Sequence, residues 1–278
     1  MRYRQFTRHI NTDNLAVMNN PKTILITGAS SGIGAALALH YAKQGVFLAL
    51  SGRNADRLKE IADQCRGKGA DVETALVDVT DQQAMESWIT DLYADHPIDL
   101  VIANAGISGG TGGRKEGEPV SEARKIFDVN VTGVFNTVEP ALNAMQEKNA
   151  KGQIAIISSL AGFRGWPTSP AYSASKGAVR FYGEGLRGAL RNTDISINVI
   201  CPGFVTSPMT DVNNFPMPMK MSAEKAADII AKGLAKDKSR ICFPWPMYFL
   251  VWFIGILPDF LAQKLLSKAP DKSALKGN

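Results

Sequence analysis

The sequence contains few of the residues that most often bind metals. Its three cysteines and three histidines are widely separated and form no recognisable spacing of metal ligands. An odd number of scattered cysteines also provides no disulfide framework and is typical of proteins from a reducing compartment. We therefore expect a cytoplasmic protein with no bound metal, and we keep membrane association as an alternative.

The chain also lacks a strong excess of charge and a segment long enough to cross a membrane. Its net charge is +5 and its basic residues are spread out, so nucleic-acid binding has little support. An apolar run at 247–257 has eleven residues, well below the roughly 20 that span a bilayer. Residues 1–20 contain arginines but no apolar core, which predicts a disordered extension, with a short targeting arm as the alternative.

What the chain does contain is a regular alternation of strand-like and helical segments. The apolar, strand-like runs occupy residues 23–27, 46–51, 72–78, 98–103, 153–158 and 195–201. The helical patterns between and after them occupy residues 35–44, 56–68, 81–95, 120–148 and 170–191. Repeated βα units with apolar strands predict an α/β Rossmann fold, a doubly wound parallel sheet with helices on both faces. No linker interrupts this pattern, so we expect one domain at 21–240, followed by an apolar and amphipathic tail at 241–278.

A glycine-rich turn follows the first predicted strand. Gly28, Gly32 and Gly34 lie between that strand and a helical segment, an order that places backbone N–H groups and a helix N-terminus against a pyrophosphate. We expect Gly28 to permit the tight turn, Gly32 the approach of the phosphates, and Gly34 the packing of helix on strand. The spacing Gly-x-x-x-Gly-x-Gly differs from the commonest dinucleotide fingerprint, and a turn without a ligand is the alternative.

Tyr172 and Lys176 lie four residues apart in a predicted helix and therefore on the same face of it. Ser169 is placed to cap this helix, and Pro170 suits its first turn. A neighbouring ammonium and the helix dipole favour the phenolate, which would make Tyr172 a general acid or base near neutral pH. Such a pair is also common on solvated helices, so it indicates catalysis only together with Ser159 and the glycine turn.

These residues resemble the short-chain dehydrogenase/reductase family, of the compact single-domain type, over roughly residues 22–208. The motifs that carry the resemblance are, in order, 27–34, Asn104-Ala105-Gly106, Asn130, Ser159 with Tyr172 and Lys176, and Pro202-Gly203. The resemblance implies hydride transfer between a nicotinamide and a carbonyl or secondary alcohol. It assigns catalysis to Ser159, Tyr172, Lys176 and Asn130. Lys176 would lower the pKa of Tyr172 and bind the nicotinamide ribose, and Asn130 would hold a water for proton relay.

The same resemblance implies a set of cofactor contacts at the carboxyl ends of the strands. In this sequence they fall on Gly28, Ser30, Ser31, Gly32, Ile33, Gly34, Arg53, Asp78, Val79, Asn104, Ala105, Gly106, Tyr172, Lys176, Pro202, Gly203, Val205 and Thr206.

The end of the second predicted strand indicates which nucleotide binds. Enzymes that use NAD usually place a carboxylate about 20 residues past the glycines, whereas this chain has Arg53 and no acid before Asp56. A guanidinium can hold a 2′-phosphate through two charge-assisted hydrogen bonds, so NADP(H) is predicted over NAD(H). The alternatives are that Arg53 is an exposed loop cation and that Asp78 caps a helix instead of contacting adenine.

The substrate and the tail leave several interpretations open. We expect the glycine-rich segment 108–115 at the pocket rim and segment 207–221 as a lid. Phe163, Trp166 and Phe204 either line an apolar pocket for a bulky substrate or belong to the core. Residues 243–268 predict a segment that covers the pocket or forms the interface of a homodimer or homotetramer, with a peripheral membrane contact as the alternative. The alternative function is a nucleotide-binding sensor or scaffold without turnover, which the complete catalytic set disfavours.

Overall fold

A single parallel sheet of seven strands organises the computed structural model, which describes residues 20–115, 117–267, 270–272 and 274. Its order is β3-β2-β1-β4-β5-β6-β7, and every neighbouring pair is parallel. The strands are β1 (Thr23–Ile26), β2 (Phe47–Ser51), β3 (Asp71–Ala75), β4 (Leu100–Ala103), β5 (Gly152–Ile157), β6 (Ile195–Pro202) and β7 (Arg240–Phe243). The prediction of a doubly wound α/β sheet is confirmed. Of the extension predicted at 1–20, residues 1–19 lie outside the described part of the chain.

Helices cover both faces of the sheet because each strand alternates its side chains between two cores. Ile24 and Ile26 of β1 belong to one core, and Leu25 between them belongs to the other. The helices are α1 (Gly32–Tyr41), α2 (Ala55–Gly67), α3 (Gln82–Asp95), α4 (Val120–Phe127), α5 (Gly133–Glu147), α6 (Pro170–Ala189), α7 (Pro208–Asp211), α8 (Ala223–Leu234), α9 (Trp245–Ile256) and α10 (Asp259–Leu266). α1, α2 and α8 pack on the first core, and α3, α5 and α6 on the second.

Most predicted elements differ from the observed ones by a few residues, and two of these differences bear on the site. β3 ends at Ala75 rather than at Asp78, so Asp78 lies in the loop after the strand. The helix predicted at 120–148 is divided into α4 and α5 by one π-helical turn, Asp128–Thr132. Asn130 lies in this turn, and its side-chain amide bonds to the backbone of Ile107 instead of facing solvent. Such π-helical turns often mark functional positions.

Helix α6 is capped by a residue that the sequence did not indicate. Ser169 occupies the N-cap position, but its side chain makes no capping hydrogen bond, which corrects the prediction. The backbone N–H of Ala171 donates instead to Oε2 of Glu118, at 2.9 Å. A carboxylate at a helix N-terminus satisfies an otherwise unpaired donor and interacts favourably with the helix dipole.

The sheet extends beyond the boundary predicted at residue 240. β7 pairs with β6 in register from Arg240 to Phe243, so the first residues of the predicted tail belong to the sheet. α9 and α10 then fold back beside the carboxyl ends of the strands, where Val251 packs with Leu160 and Cys201. Within the described residues, no helix is both long and apolar enough to cross a membrane.

Candidate active site

A cavity of about 660 Å³ opens at the carboxyl ends of the strands, where ligands of open parallel sheets bind. One end is formed by the glycine turn and Arg53, and the other by Trp166 and residues of α9. Tyr172 and Lys176 line the wall between the two ends. The lining therefore joins a polar region at the glycine turn to an apolar region at α9, which suits a dinucleotide with a second molecule beside it.

Hydrogen bonds from the Asn104 motif hold the glycine turn in place. Nδ2 of Asn104 donates to the carbonyl oxygens of Thr27 at 2.9 Å and Gly28 at 3.1 Å. Oγ1 of Thr27 accepts from the backbone N–H groups of Asn104 and Ala105. Asn104 thus lines the cavity, but its side-chain amide is used to fix the turn that would hold the cofactor.

The turn has the close approaches that a dinucleotide site requires. Gly28 and Gly32 have φ angles of +65° and +57°, a region that favours glycine. A Cβ on Gly34 would lie 2.3 Å from the carbonyl oxygen of Gly28, so only glycine lets α1 pack this closely on β1. The N-terminus of α1 then points into the cavity, and this arrangement fits a pyrophosphate.

The residues beyond β2 are basic and surround the far end of the cavity. Arg53 is exposed, lines the cavity together with Asn54 and Arg57, and takes part in none of the ion pairs formed by the described residues. Asp78 accepts hydrogen bonds from the N–H and the hydroxyl of Thr80, both at 2.9 Å. The N-cap of α3 is Asp81 rather than Asp78, so the alternative that Asp78 caps this helix is wrong.

The hydroxyl groups of Ser159 and Tyr172 meet at the centre of the cavity. Both side chains line the cavity, near enough for the Ser159 hydroxyl to act on the phenol. Oγ of Ser159 accepts from the N–H of Ala161 at 3.1 Å and donates to the carbonyl oxygen of Pro202 at 3.5 Å. Burial raises the pKa of Tyr172 above its ordinary value, and the neighbouring Ser159 hydroxyl opposes this shift. The phenol is therefore protonated near neutral pH and is a proton donor in this state.

Lys176 is buried beside this pair, but it does not have the electrostatic effect that its spacing predicts. Its Nζ donates to the carbonyl oxygen of Ile157 at 3.0 Å, and Oγ of Ser158 donates to the Lys176 carbonyl oxygen at 2.7 Å. Burial lowers the pKa of Lys176 to about 8. The expectation that the lysine lowers the pKa of Tyr172 is wrong for this state, because burial disfavours the charged form of both groups.

Asn130 lies behind Lys176, in the π-helical turn. Its Oδ1 accepts from the N–H of Ile107 at 2.8 Å, and its Nδ2 donates to the Ile107 carbonyl at 2.9 Å and to Oγ of Ser175 at 3.0 Å. A Cβ on Gly106 would lie 3.1 Å from Oδ1 of Asn130 and 3.3 Å from Nζ of Lys176. Oδ1 of Asn130 and Nζ of Lys176 thus lie on the same side of Gly106, close enough for one water to contact both.

Most of the predicted site residues line one cavity, and three do not. Gly34 lies beneath the glycine turn, Asn130 is fully buried, and the hydroxyl of Thr206 donates to the carbonyl oxygen of Met221. The remaining predicted residues face the cavity: Gly28, Ser30, Ser31, Gly32, Ile33, Arg53, Asp78, Val79, Asn104, Ala105, Gly106, Ser159, Tyr172, Lys176, Pro202, Gly203 and Val205.

The end of the cavity opposite Arg53 is mostly apolar. Phe204 and Phe215 pack edge to face with ring centroids 6.1 Å apart, and Trp166 lines the same end. Phe163 is not among the lining residues, because its ring packs against the guanidinium of Arg180 at 4.5 Å. Segment 207–221, which we expected to form a lid, contributes lining residues, among them Met209 and Pro218.

The apolar tail does cover part of the pocket, but the sequence did not indicate which of its residues do so. Met247, Leu250, Val251 and Ile254 of α9 line the cavity, and the apolar run that contains them gave no sign of which side chains would face inwards. Lys272 also lines the cavity, next to Ser108 of the glycine-rich segment. No local motif marks Lys272, and its partner is 164 residues away.

A nucleotide crevice next to a serine, a tyrosine and a lysine defines the class of protein: a Rossmann-fold oxidoreductase. The family model for short chain dehydrogenases matches residues 22–216. The chain therefore belongs to the short-chain dehydrogenase/reductase family, and it is an NAD(P)-dependent oxidoreductase.

Individual relatives agree with this assignment. An uncharacterized oxidoreductase of Myxococcus xanthus is 39% identical over 239 residues, which cover 86% of this chain and 93% of that protein. The structure is similar to a short-chain dehydrogenase/reductase from Burkholderia phymatum in complex with NAD, with a TM-score of 0.76, 26% identity and coverage of 84% and 92%. It is also similar to a short-chain dehydrogenase from Sphingobium yanoikuyae in complex with NADPH, with a TM-score of 0.73, 25% identity and coverage of 91% and 98%.

Proposed function

We propose that the protein is an NADP(H)-dependent oxidoreductase that interconverts a carbonyl compound and a secondary alcohol on a bulky, apolar substrate. The observation that carries this proposal is the position of Ser159 and Tyr172 together in the cavity wall, with Lys176 buried beside them. A protein that only binds nucleotide has no need of a proton donor at this position.

The chain's own residues have distinct tasks in the proposed reaction. The bound nicotinamide supplies hydride to the carbonyl carbon or accepts it from the alcohol. Ser159 and Tyr172 donate hydrogen bonds to the carbonyl oxygen, where negative charge develops. Tyr172 then transfers its proton to that oxygen. Lys176 holds the nicotinamide ribose, and Asn130 positions a water through which the proton is replaced.

The preference for NADP(H) follows from the charges at the far end of the cavity. Arg53 and Arg57 line this end, and Asp78 is the carboxylate among the described lining residues. A 2′-phosphate would gain charge-assisted hydrogen bonds to the guanidinium of Arg53. Because the two structural relatives were solved with NAD and with NADPH, the preference rests on these side chains.

The apolar end of the cavity supports a large substrate. Phe204, Phe215 and Trp166 together with α9 provide a surface on which a ring system or a long chain gains free energy by burial. Methionines at 209 and 247 adapt their shape to different ligands. We therefore expect KM to fall as apolar groups are added to the substrate.

The test is a screen of aldehydes, ketones and secondary alcohols of increasing size. Absorbance follows the oxidation of NADPH by the carbonyl compounds and the reduction of NADP⁺ by the alcohols. We expect turnover with NADPH to exceed turnover with NADH, and aromatic or long-chain ketones to be better substrates than acetone. A pure protein that binds NADPH but turns over none of these compounds would support the sensor alternative.

The exposed face of α9 and α10 supports a proposal about assembly. Trp245 and Phe260 are each 72% exposed, and Phe249 is 57% exposed. Exposed apolar residues in such number mark an interaction surface. We favour the interface of a homodimer or homotetramer, and a peripheral contact with a membrane is the alternative.

A further inference from the structure

The last described residues of the chain lie across the glycine-rich segment beside the active site. The N–H of Gly112 donates to the carbonyl oxygen of Lys272 at 2.8 Å. A Cβ on Gly110 would lie 2.7 Å from Cβ of Lys272, so glycine at this position is what allows the two segments to come together. The segment 108–113, which we expected only to form a pocket rim, therefore holds a specific part of the tail.

This contact places the ammonium of Lys272 against the catalytic tyrosine. Nζ of Lys272 lies 4.1 Å from the centroid of the Tyr172 ring and donates to Oγ of Ser108 at 2.5 Å. A cation over an aromatic face is attracted to it, which helps to fix the side chain. Because the reacting hydroxyl belongs to the same ring, the ammonium is within reach of any small group attached to a carbonyl bound there.

The charge of Lys272 is not balanced by a direct partner among the described residues. Lys272 forms no ion pair with them within 4.0 Å. Glu118, the carboxylate that acts on it, accepts from the N–H of Ala171 through Oε2, and its buried Oε1 has no hydrogen-bond partner among these residues, so the two charges interact without a direct contact. Burial lowers the pKa of Lys272 to about 8, and Glu118 opposes this shift. A largely desolvated ammonium without a paired anion is costly, and an anionic ligand would relieve that cost.

We infer that Lys272 is a specificity-determining residue that binds an anionic group of the substrate, next to the carbonyl that Ser159 and Tyr172 hold. The inference rests on the proposed function and narrows its substrate to oxo acids, or the matching hydroxy acids, with an apolar remainder. The carboxylate would contact Lys272 and Ser108, the carbonyl oxygen Tyr172, and the remainder the aromatic end of the cavity. Only a few carbon atoms separate the carboxylate from the carbonyl.

The experiment compares an acid with its neutral ester: 2-oxo-4-phenylbutanoate and ethyl 2-oxo-4-phenylbutanoate, each with NADPH. Lys272→Gln should raise KM for the acid roughly tenfold or more, as loss of a charge-assisted hydrogen bond implies, with a smaller change in kcat. KM for the ester should stay within about twofold. Lys272→Arg should retain most of the affinity for the acid. Lys264→Gln, which removes an exposed lysine of α10, should change neither substrate.

A binding measurement keeps the inference separate from turnover. Calorimetry with 4-phenylbutanoate and with its amide, in the presence of NADP⁺, should show tighter binding of the acid, and Lys272→Gln should abolish the difference. A chain ending at residue 269 should behave like Lys272→Gln. Equal binding of the acid and the amide would overturn the inference, and so would a KM for the acid that Lys272→Gln leaves unchanged. In either case, reduction of the ester would still support the proposed function. Failure to reduce either compound would instead count against the proposed function, and calorimetry would still decide the role of Lys272.

Discussion

The two ends of the cavity are built in different ways. The nucleotide end is formed mainly by backbone atoms. Hydrogen bonds with Asn104 and Thr27 hold the glycine turn, and a Cβ on Gly34 would lie 2.3 Å from a backbone oxygen. At the substrate end, the surface consists of side chains from separate segments, such as Phe215 and Val251. A site formed by closely packed backbone tolerates few substitutions. At a surface formed by many side chains, each substitution should change substrate affinity by a small amount.

The difference also separates recognition from specificity. The nucleotide end offers N–H groups and a helix N-terminus, which suit any pyrophosphate. The substrate end offers apolar area together with the cation of Lys272, a combination that selects among substrates. Changes at the first end should therefore affect all substrates alike, and changes at the second should affect them unequally. The predictions below test this division.

The largest effect is expected where the two ends meet. Tyr172→Phe keeps the ring that packs in the cavity but removes the proton donor, so kcat should fall by about 10²- to 10⁴-fold. NADPH affinity, followed by fluorescence titration, should change by less than about threefold. A variant that retains most of its turnover would show that another group donates the proton.

A smaller effect is expected at Arg53. Arg53→Asp should reverse the preference between NADPH and NADH, because a carboxylate repels the 2′-phosphate and can bind the ribose hydroxyls. Loss of a charge-assisted hydrogen bond is worth about 1.5–3 kcal/mol, roughly 10- to 150-fold in NADPH affinity. Lys43→Asp, an exposed charge reversal outside the lining residues, is the control. Equal affinity of the unaltered protein for both nucleotides would remove Arg53 from the site.

Glycine-to-alanine changes distinguish a backbone site from an ordinary helix. Gly34→Ala should lower the free energy of unfolding by about 1–3 kcal/mol, because the new methyl group overlaps the turn. Gly185→Ala is the matched control: nothing lies within 4 Å of its Cβ position on α6, so alanine should stabilise by about 0.5–1 kcal/mol. Denaturant unfolding measures both. Equal effects of the two changes would contradict the close packing at Gly34.

The pH profile should report the buried lysine. Since the pKa of Lys176 is lowered to about 8, its ammonium is present below that pH and is lost above it. For reduction of a neutral ketone, which does not depend on Lys272, kcat/KM should therefore fall by about tenfold per pH unit well above pH 8. The free energy of unfolding should change in the opposite direction. Between pH 8 and the ordinary lysine pKa the unfolded chain binds more protons than the folded chain, so the folded protein becomes more stable as the pH rises. A flat kcat/KM profile up to pH 10 would show that the ammonium is not required.

The nucleotide end could be predicted from the sequence because its contacts are encoded in short motifs. Gly28, Asn104 and Lys176 each lie directly after or near a recognisable strand or helix start. The substrate end could not, because its contacts join distant segments: Lys272 bonds to Ser108, and Glu118 caps a helix 53 residues later. The pKa of Tyr172 was predicted in the wrong direction for the same reason, since spacing indicates that two groups are neighbours but not how deeply both are buried.

The last prediction concerns the outer face of α9 and α10, of which α9 also contributes lining residues to the cavity. Phe249→Ser with Phe260→Ser removes two of its exposed aromatic rings. If this face joins subunits, the double variant should sediment as a smaller species than the unaltered protein. Leu76→Ser, which removes a 65% exposed residue beside β3, should not change the sedimentation.

If the face of α9 and α10 lies on a membrane, the unaltered protein should instead bind phosphatidylglycerol vesicles and the double variant should not. We expect the change in sedimentation, with NADPH affinity unchanged in both variants, because α9 reaches the cavity only at the end opposite Arg53. If the double variant assembles like the unaltered protein and the unaltered protein does not bind vesicles, both proposed roles of this face are wrong.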